Sequence, residues 1–402
     1  MASTPNPTTT TTANVPPDDV PGPSGTRSPE PGPGQVVVVA EEEEEVVHAP
    51  LQVDHDRPDE DEDDADDGDS AYGSLAGSSR TGSITSSITN YVYENGRRYH
   101  AYRSGQYVLP NDEAEQERLD LQHHIWRLLL HGKLYTAPLQ IPEPGEKIPT
   151  TTSSQEGGGA GADFRVLDLG TGTGIWAIDM ADEFPRASVF GVDLSPIQPE
   201  WVPGNCRFHV DDFEDEWTYR PDEKFDYIHG RAISGAVADW AQFYKQVRTH
   251  LKPGGWCEMQ EYDAWVFSDD DSLDRTTWTK GWVEKLEESS QQFGKPINIA
   301  RKHKQWMINA GFEDVVEKVV RIPIGPWAKD PWLKELGRFE QIHMQMSVAS
   351  HTPALFSRVL GWSEQQVQVL VEGVKREFRS RDYRLITSYR FIIGRSPGPP
   401  SD

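Results

Sequence analysis

Residues 164–174 read FRVLDLGTGTG, and this stretch decides the fold of the chain. A short apolar run ends in an acid, Asp168, and opens into glycines at positions 170, 172 and 174. The helix-forming residues 175–181 follow directly. A strand that leads into a glycine loop and then into a helix is the first crossover of an open α/β sheet, where the backbone approaches a ligand closely. We therefore predict a Rossmann-like α/β fold with a ligand site at this loop.

The spacing of the glycines separates two kinds of nucleotide-like ligand. The dinucleotide fingerprint G-x-G-x-x-G needs a glycine at position 175, which is Ile175 here. The loop reads G-x-G-x-G, and an adjacent carboxylate repels a pyrophosphate but suits an ammonium group. S-adenosylmethionine carries an amino acid end, a sulfonium and no phosphate, so it is the predicted cofactor, and a dinucleotide-dependent oxidoreductase is disfavoured. The predicted contacts in this loop are Asp168, Gly170, Thr171, Gly172 and Gly174.

The ends of two further predicted strands extend the cofactor site. The second strand, residues 187–193, ends in Asp193, about 20 residues past the loop, where a carboxylate accepts hydrogen bonds from ribose hydroxyls. The third, residues 206–210, precedes Asp212, which we expect to bind the adenine amino group. An Asp pair at this place also serves as a helix cap, and both interpretations stay open. The neighbours Leu194 and Phe213 are included in the predicted site.

The segment LDLGTGTGIW, residues 167–176, resembles motif I of class I S-adenosylmethionine-dependent methyltransferases. More narrowly, the chain resembles the fungal LaeA-like family of velvet-associated regulators of secondary metabolism. The supporting blocks are residues 109–126, 191–203, 211–219, 225–240 and 251–263, and the resemblance covers about residues 90–395. It implies methyl transfer to a small-molecule or protein acceptor in fungal secondary metabolism. The alternative that it implies is a regulatory subunit of a velvet-type complex.

The resemblance and the alternating βα pattern together predict a seven-stranded, mostly parallel sheet with helices on both faces. The fourth to seventh strands are expected at residues 225–229, 256–261, 315–324 and 385–394, with a helical lid at residues 327–380. Position alone makes His229, Glu261 and His343 candidate bases for removing a proton from the acceptor, and His229 a cofactor contact. The resemblance implies that the segment after residue 90 packs over the cofactor cleft, which makes Tyr102 and Tyr107 candidate cleft residues, with packing of a helix onto the domain as the open alternative.

Charge divides the chain into parts of different character. Residues 1–89 hold 19 acidic and three basic residues, which is 16 of the 26 net negative charges. Such a segment buries too little apolar surface to offset its ordering entropy, so we predict a disordered acidic tail there. A helical N-terminal segment is expected at residues 90–156 and the methyltransferase domain at residues 157–395. The remaining net charge of −10 disfavours a nucleic-acid partner.

The cysteine content and the hydropathy of the chain indicate the cellular compartment in which we expect the protein. The chain has two cysteines, Cys206 and Cys257, and no C-x-x-C pattern, which favours a reducing compartment and no metal site. The apolar run at residues 36–40 is too short to cross a bilayer, and the N-terminus lacks the features of a signal peptide. We therefore expect an intracellular protein, cytoplasmic or nuclear, without a membrane partner.

Overall fold

The computed structural model describes residues 49–54, 91–142 and 164–398. The strands are Val92–Glu94 (β1), Arg97–Tyr99 (β2), Phe164–Leu169 (β3), Ala187–Asp193 (β4), Cys206–Val210 (β5), Phe225–Arg231 (β6), Leu251–Tyr262 (β7), Phe267–Ser268 (β8), Glu313–Pro323 (β9) and Leu385–Arg395 (β10). The helices are Glu113–Leu129 (α1), Ile175–Glu183 (α2), Trp240–His250 (α3), Ser272–Arg275 (α4), Thr279–Phe293 (α5), His303–Asn309 (α6), Pro331–Arg358 (α7) and Glu364–Arg379 (α8), with a 3₁₀ turn at Ala300–Lys302. None of the helices in these ranges is long and apolar enough to cross a membrane.

The central sheet has the order β5-β4-β3-β6-β7-β10, and β9 pairs with the other side of β10. The first five strands of this order run parallel to one another, and β10 is antiparallel to β7 and to β9. The predicted fold class is confirmed: the seven predicted strands are present, and the two-residue β8 adds an eighth beside the start of β10.

Both faces of the sheet are covered by helices. Val166 of β3 lies in an apolar cluster with Trp176 and Met180 of α2. The next residue, Leu167, lies in a separate cluster with residues of α3 and α6, such as Phe243. Because successive side chains of a strand point to opposite faces, β3 is buried on both sides. The glycine loop at its carboxyl end is thus held by a rigid strand.

The start of β7 differs from the sequence prediction. The strand predicted at residues 256–261 is preceded by residues 252–255, which read KPGG and have the composition of a turn. In the structure α3 ends at His250 and β7 begins at once, with Leu251 paired to Phe225. The backbone N–H of Gly254 donates to the carbonyl of Ser396. The backbone partners on both sides of this segment therefore override its turn-forming composition.

The predicted lid consists of α7 and α8. Asp330 caps α7 by accepting a hydrogen bond from the backbone N–H of Leu333 at 2.9 Å. Both helices share an apolar core with α5 and the N-terminal segment, formed by residues that include Tyr99, Trp282, Phe356 and Phe378. The lid is therefore packed on the domain through a core of its own, and most of its apolar side chains are used there.

A short piece of the predicted acidic tail lies against the domain. Val53 forms an antiparallel bridge with Ala328, and the backbone N–H of Asp54 donates to the carbonyl of Trp327 at 3.0 Å. Asp54 also pairs with Lys334 of α7. The predicted tail boundary at residue 89 therefore does not hold for residues 50–54, because the extended segment LQV finds backbone partners beside the lid. The rest of residues 1–89 lies outside the described residues.

This contact predicts a measurable stabilisation. A chain that begins at residue 90 should melt a few degrees below one that begins at residue 49, because it lacks backbone hydrogen bonds worth about 1 kcal/mol each. A chain that begins at residue 55 is the control and should have the same melting temperature as the chain that begins at residue 90. Thermal unfolding of the three proteins would refute a stabilising contact if all three melted together.

Candidate active site

The glycine loop connects β3 to α2 through three residues with positive φ. Gly170, Gly172 and Gly174 have φ angles of 65°, 57° and 81°, which other L-residues rarely adopt. A Cβ atom on Gly170 would also lie 2.8 Å from the side chain of Ile233. The loop therefore depends on glycine both for its backbone conformation and for the space beside it, and it leaves its backbone open towards the strand ends.

Asp168 supports the loop from below. One carboxylate oxygen accepts a hydrogen bond from Thr171 Oγ1 at 2.6 Å, and the other lies 2.7 Å from Nδ1 of His229. The His229 ring stacks on Trp176 with centroids 3.7 Å apart. His229 is fully buried and does not line either of the cavities described below. The structure thus contradicts its predicted roles as a base and a cofactor contact, because its ring is enclosed between strand and helix.

Asp193 ends β4 beside the glycine loop, as predicted. Its carboxylate accepts hydrogen bonds from the backbone N–H groups of Gly172 at 2.8 Å and Ser195 at 2.9 Å. Burial raises the pKa of this carboxyl to about 6, and the backbone donors oppose that rise. The two backbone donors therefore hold the Asp193 carboxylate in one orientation. Its pKa lies about one unit below neutral pH.

The larger cavity lies above the glycine loop and the ends of the parallel strands. It holds about 950 Å³ of space between atoms, part of it open to solvent. Of the predicted residues, Gly170, Gly172, Asp193, Leu194, Asp212, Phe213 and Tyr107 line it. Of the two tyrosines predicted to lie in the cleft, Tyr107 lines the cavity and Tyr102 does not.

A smaller cavity of about 360 Å³ adjoins the first, and the two share Leu119, Gly170, Gly172 and Arg231 in their walls. Asp168, Thr171 and Gln122 also line it. Arg231 ends β6, and burial lowers its pKa to about 10, so its guanidinium stays charged at neutral pH. The amide nitrogen of Gln122 is buried and has no hydrogen-bond partner. Two donors thus face one small space, which suits a carboxylate.

His343, a predicted base, is fully buried in α7 and lines neither cavity. Its Nε2 lies 2.9 Å from Nη1 of Arg118. A guanidinium only donates, so the lone pair of Nε2 is already used. Nδ1 then carries the hydrogen and faces Glu340 at 3.4 Å. The prediction that His343 acts as a base is therefore wrong.

Glu261, the third predicted base, is also fully buried and absent from the cavity walls. Its carboxyl accepts hydrogen bonds from the backbone N–H of Ile233 and from Ser234 Oγ, both at 2.9 Å. Ile233 and Ser234 line the larger cavity. Glu261 therefore holds the segment after β6 in place and does not reach a ligand, which corrects its predicted role.

Burial raises the pKa of Glu261 to about 8, from an ordinary value of 4.5. The folded protein keeps this proton at a pH where the unfolded chain has lost it, so stability falls as pH rises from 4.5 through 8. Glu261→Gln mimics the protonated form. We expect its melting temperature to exceed that of the wild type by a margin that grows as pH rises over this range. Thermal unfolding across the range checks this, and a melting difference that does not change with pH would contradict it.

Sequence reasoning missed many of the residues that line the larger cavity, among them Glu115 and Arg118 of α1, Tyr262 at the end of β7 and His351 of α7. Glu115 and Arg118 form a buried ion pair with contacts of 2.8–3.1 Å. One signal was present in the sequence, because both charged residues lie on the same helix face as the apolar Leu119 and Ile125. Tyr262 and His351 carried no comparable signal.

Comparison with known proteins agrees with this geometry. A family profile described as "Methyltransferase domain" matches residues 121–317. The chain is 38% identical over 316 residues to methyltransferase pytC of Aspergillus terreus, which covers 78% of this chain and 91% of that protein. It is 37% identical over 312 residues to the secondary metabolism regulator LAE1 of Cochliobolus heterostrophus, covering 77% and 95%. For the protein-methionine methyltransferase laeA of Emericella nidulans the identity is 35%, and 76% of each chain is covered.

The sheet and its glycine loop define an S-adenosylmethionine-dependent methyltransferase of class I. Within that class the chain belongs to the LaeA-like family. The predictions of family, enzyme class and cofactor are confirmed. Among the described residues, no group of three His, Cys, Asp or Glu side chains is placed to hold a metal ion.

Proposed function

We propose that the chain transfers the methyl group of S-adenosylmethionine to a small-molecule or protein acceptor in fungal secondary metabolism. The observation that carries this proposal is the pair of adjoining cavities around the glycine loop. The smaller one is lined by groups that suit an amino acid, and the larger one by carboxylates at the ends of parallel strands. A ligand with an amino acid at one end and a nucleoside at the other fits that division.

In the smaller cavity, Arg231 and Gln122 are assigned to the carboxylate of the cofactor. The unpartnered amide nitrogen of Gln122 supports this assignment, because a buried donor without an acceptor costs about 1–3 kcal/mol and a carboxylate supplies one. Asp168, with Thr171 beside it, is assigned to the ammonium group. The cationic and anionic side chains of the smaller cavity then each face the ligand group of opposite charge.

In the larger cavity, Asp193 is assigned to the ribose hydroxyls and Asp212 to the adenine amino group, with Leu194 and Phe213 as apolar neighbours. The carboxylate of Asp212 accepts the backbone N–H of Glu214 at 3.0 Å. No helix follows Asp212 in the described chain before Trp240, so the alternative of a helix cap is wrong and this contact closes a turn instead. Asp212 therefore serves local structure as well as the proposed ligand contact.

In the proposed reaction the protein has two main tasks, which are to orient the acceptor and to exclude water. When bound, the cofactor supplies a methyl group that its sulfonium already activates. The chain must hold an acceptor in line with that methyl group and exclude water. Leu109, Pro110 and Tyr107 of the N-terminal segment line the cavity and support the second task.

The relatives' names support methyl transfer, name a protein acceptor in one case and a regulatory role in another. pytC is named a methyltransferase, laeA of Emericella nidulans a protein-methionine methyltransferase, and LAE1 a secondary metabolism regulator. The alternative is a regulatory subunit of a velvet-type complex in which turnover is secondary. The two buried free cysteines, Cys206 and Cys257, support an intracellular location, in the cytoplasm or the nucleus.

Incubation with methyl-labelled cofactor and separate pools of fungal metabolites, proteins and RNA tests the proposal. We expect label in metabolites or proteins, because the chain carries a large negative charge and nucleic-acid binding needs a basic surface. The matched control is the same incubation with Asp193→Ala. Label mainly in RNA would refute the proposed acceptor class. Cofactor binding without transfer to any pool would favour the regulatory alternative.

A further inference from the structure

Two of the residues that line the larger cavity form a polar pair with no assigned role in cofactor binding. Tyr262 Oη lies 3.0 Å from Nε2 of His351, and both side chains face the cavity. Tyr107, Glu115 and Arg118 line the same cavity. Tyr262 ends the strand β7, and His351 lies on α7, so this part of the cavity is formed between sheet and lid.

The hydrogen bonds of His351 show which member of the pair donates and which accepts. Its Nδ1 lies 2.8 Å from the backbone carbonyl of Ser347, which can only accept, so Nδ1 carries the hydrogen. In the neutral ring Nε2 then has a free lone pair, and the hydroxyl of Tyr262 donates to it. The tautomer follows from this network. With its own hydrogen directed at His351, the oxygen of Tyr262 is left as a hydrogen-bond acceptor for a ligand.

The charges around His351 keep it neutral. Burial, and after it the charge of Arg118 of α1, lowers the pKa of His351 to about 4. Glu115 of α1 acts in the opposite direction, and His343 on the same helix adds to the lowering. Glu115 and Arg118 also satisfy each other through several hydrogen bonds. This part of the cavity therefore offers an acceptor no unpaired charge. Because its pKa is lowered, His351 is a weak base, and it takes up a proton only as the methyl–oxygen bond forms, when the acceptor hydroxyl becomes strongly acidic.

We propose that Tyr262 and His351 form a proton relay for an uncharged acceptor that carries an aromatic hydroxyl group. Tyr262 contacts the hydroxyl of the acceptor, and His351 receives the proton behind it. The aromatic ring lies among Tyr107, Leu109 and Leu119, which line the same cavity. This inference rests on the proposed function and names the acceptor class of that same site.

The proposed step is balanced in atoms and charge. The acceptor oxygen forms a bond to the methyl carbon, and the electron pair of the broken carbon–sulfur bond stays on sulfur. The acceptor proton passes to the oxygen of Tyr262 while the proton of Tyr262 passes to Nε2 of His351. The imidazolium then returns its proton to solvent after the product leaves. A thioether acceptor has no proton to lose and would need no relay.

A photoacid tests the relay without turnover. The probe is 2-naphthol, which becomes a strong acid when excited and then emits as the naphtholate if a side chain or solvent water takes its proton. The emission of the free probe in buffer is therefore subtracted, and only the bound fraction is compared between proteins. We expect naphtholate emission from 2-naphthol bound to the wild-type protein loaded with S-adenosylhomocysteine. Tyr262→Phe should reduce that emission at least about tenfold, since it removes the group that contacts the probe. His351→Gln should do the same, because an amide oxygen can accept the hydrogen bond of Tyr262 but cannot take up a proton.

The control is Tyr93→Phe, since Tyr93 is 73% exposed and lies outside both cavities. It should leave the emission unchanged. Wild-type emission from both relay variants with the probe bound would overturn the relay, and absence of 2-naphthol binding to the loaded protein would overturn the acceptor class. Calorimetry with S-adenosylhomocysteine on each protein keeps the two proposals apart. Loss of that binding in the wild type contradicts the proposed function, whereas intact binding with unchanged emission contradicts only the relay.

Discussion

Replacing Gly337 by Ala is expected to destabilise the protein by about 3 kcal/mol or more. Gly337 lies in α7 where the helix passes the loop after β9, and a Cβ atom there would lie 2.2 Å from the backbone oxygen of Gly325. The backbone N–H of Gly325 donates to the carbonyl of Gly337 at 2.9 Å, so the contact is between two main chains. Neither can rotate away, and α7 must move. The melting temperature should fall by roughly 6–12 °C.

The matched control is Gly281→Ala in α5. Gly281 is exposed, and a Cβ atom there would meet nothing within 4 Å. Because alanine is the better helix former, this variant should gain about 0.5–1 kcal/mol. Thermal unfolding of both variants compares the same substitution in two helices. A Gly337→Ala protein that melts like the wild type would show that α7 and the loop after β9 are not in close contact.

Replacing Asp193 by Ala should weaken S-adenosylmethionine binding by roughly 10- to 150-fold. The estimate follows from about 1.5–3 kcal/mol for a hydrogen bond to a charged group. The substitution also leaves the N–H groups of Gly172 and Ser195 without their acceptor, so the glycine loop loses a support. Calorimetric titration measures the change. Glu200→Ala, at an exposed position beyond the same strand, is the control and should bind as the wild type does.

The same residue gives a pH signature. Because the pKa of Asp193 is raised to about 6, its carboxylate becomes protonated as pH falls through that value and accepts ribose hydroxyls less well. Wild-type affinity should therefore decline below pH about 6, and the affinity of Asp193→Ala should not. Tight NADH binding by a wild-type protein that does not bind S-adenosylmethionine would contradict the role of the glycine loop altogether.

Sequence reasoning was sufficient for the scaffold because local signals and global fold agree there. The strand before the glycine loop, the loop itself and Asp193 lie close together in the sequence, and their spacing encodes a ligand contact. The position of α1 was also predictable, since Asp112 caps it through the N–H of Glu115. Such features need no knowledge of distant contacts.

The candidate bases could not be predicted, because their environments depend on residues far away in the chain. His343 is engaged by Arg118, 225 positions earlier, and Glu261 by the backbone after β6. His351 meets Tyr262 across 89 positions. A position near the carboxyl end of a strand says that a side chain lies at the correct level of the sheet. It does not say whether neighbouring elements enclose that side chain or leave it open to the cavity.

The contact between Arg118 and His343 also has a mechanical consequence. It joins the N-terminal helix α1 to the lid helix α7 through side chains that are almost fully buried. Pulling the two helices apart would leave Arg118 paired with Glu115 of its own helix but without His343, at a cost of about 1–3 kcal/mol for the lost buried hydrogen bond. Helix α1 and the lid helix α7 both line the larger cavity, so this contact ties two of its walls together. A substitution at Arg118 or His343 is therefore expected to loosen both walls at once.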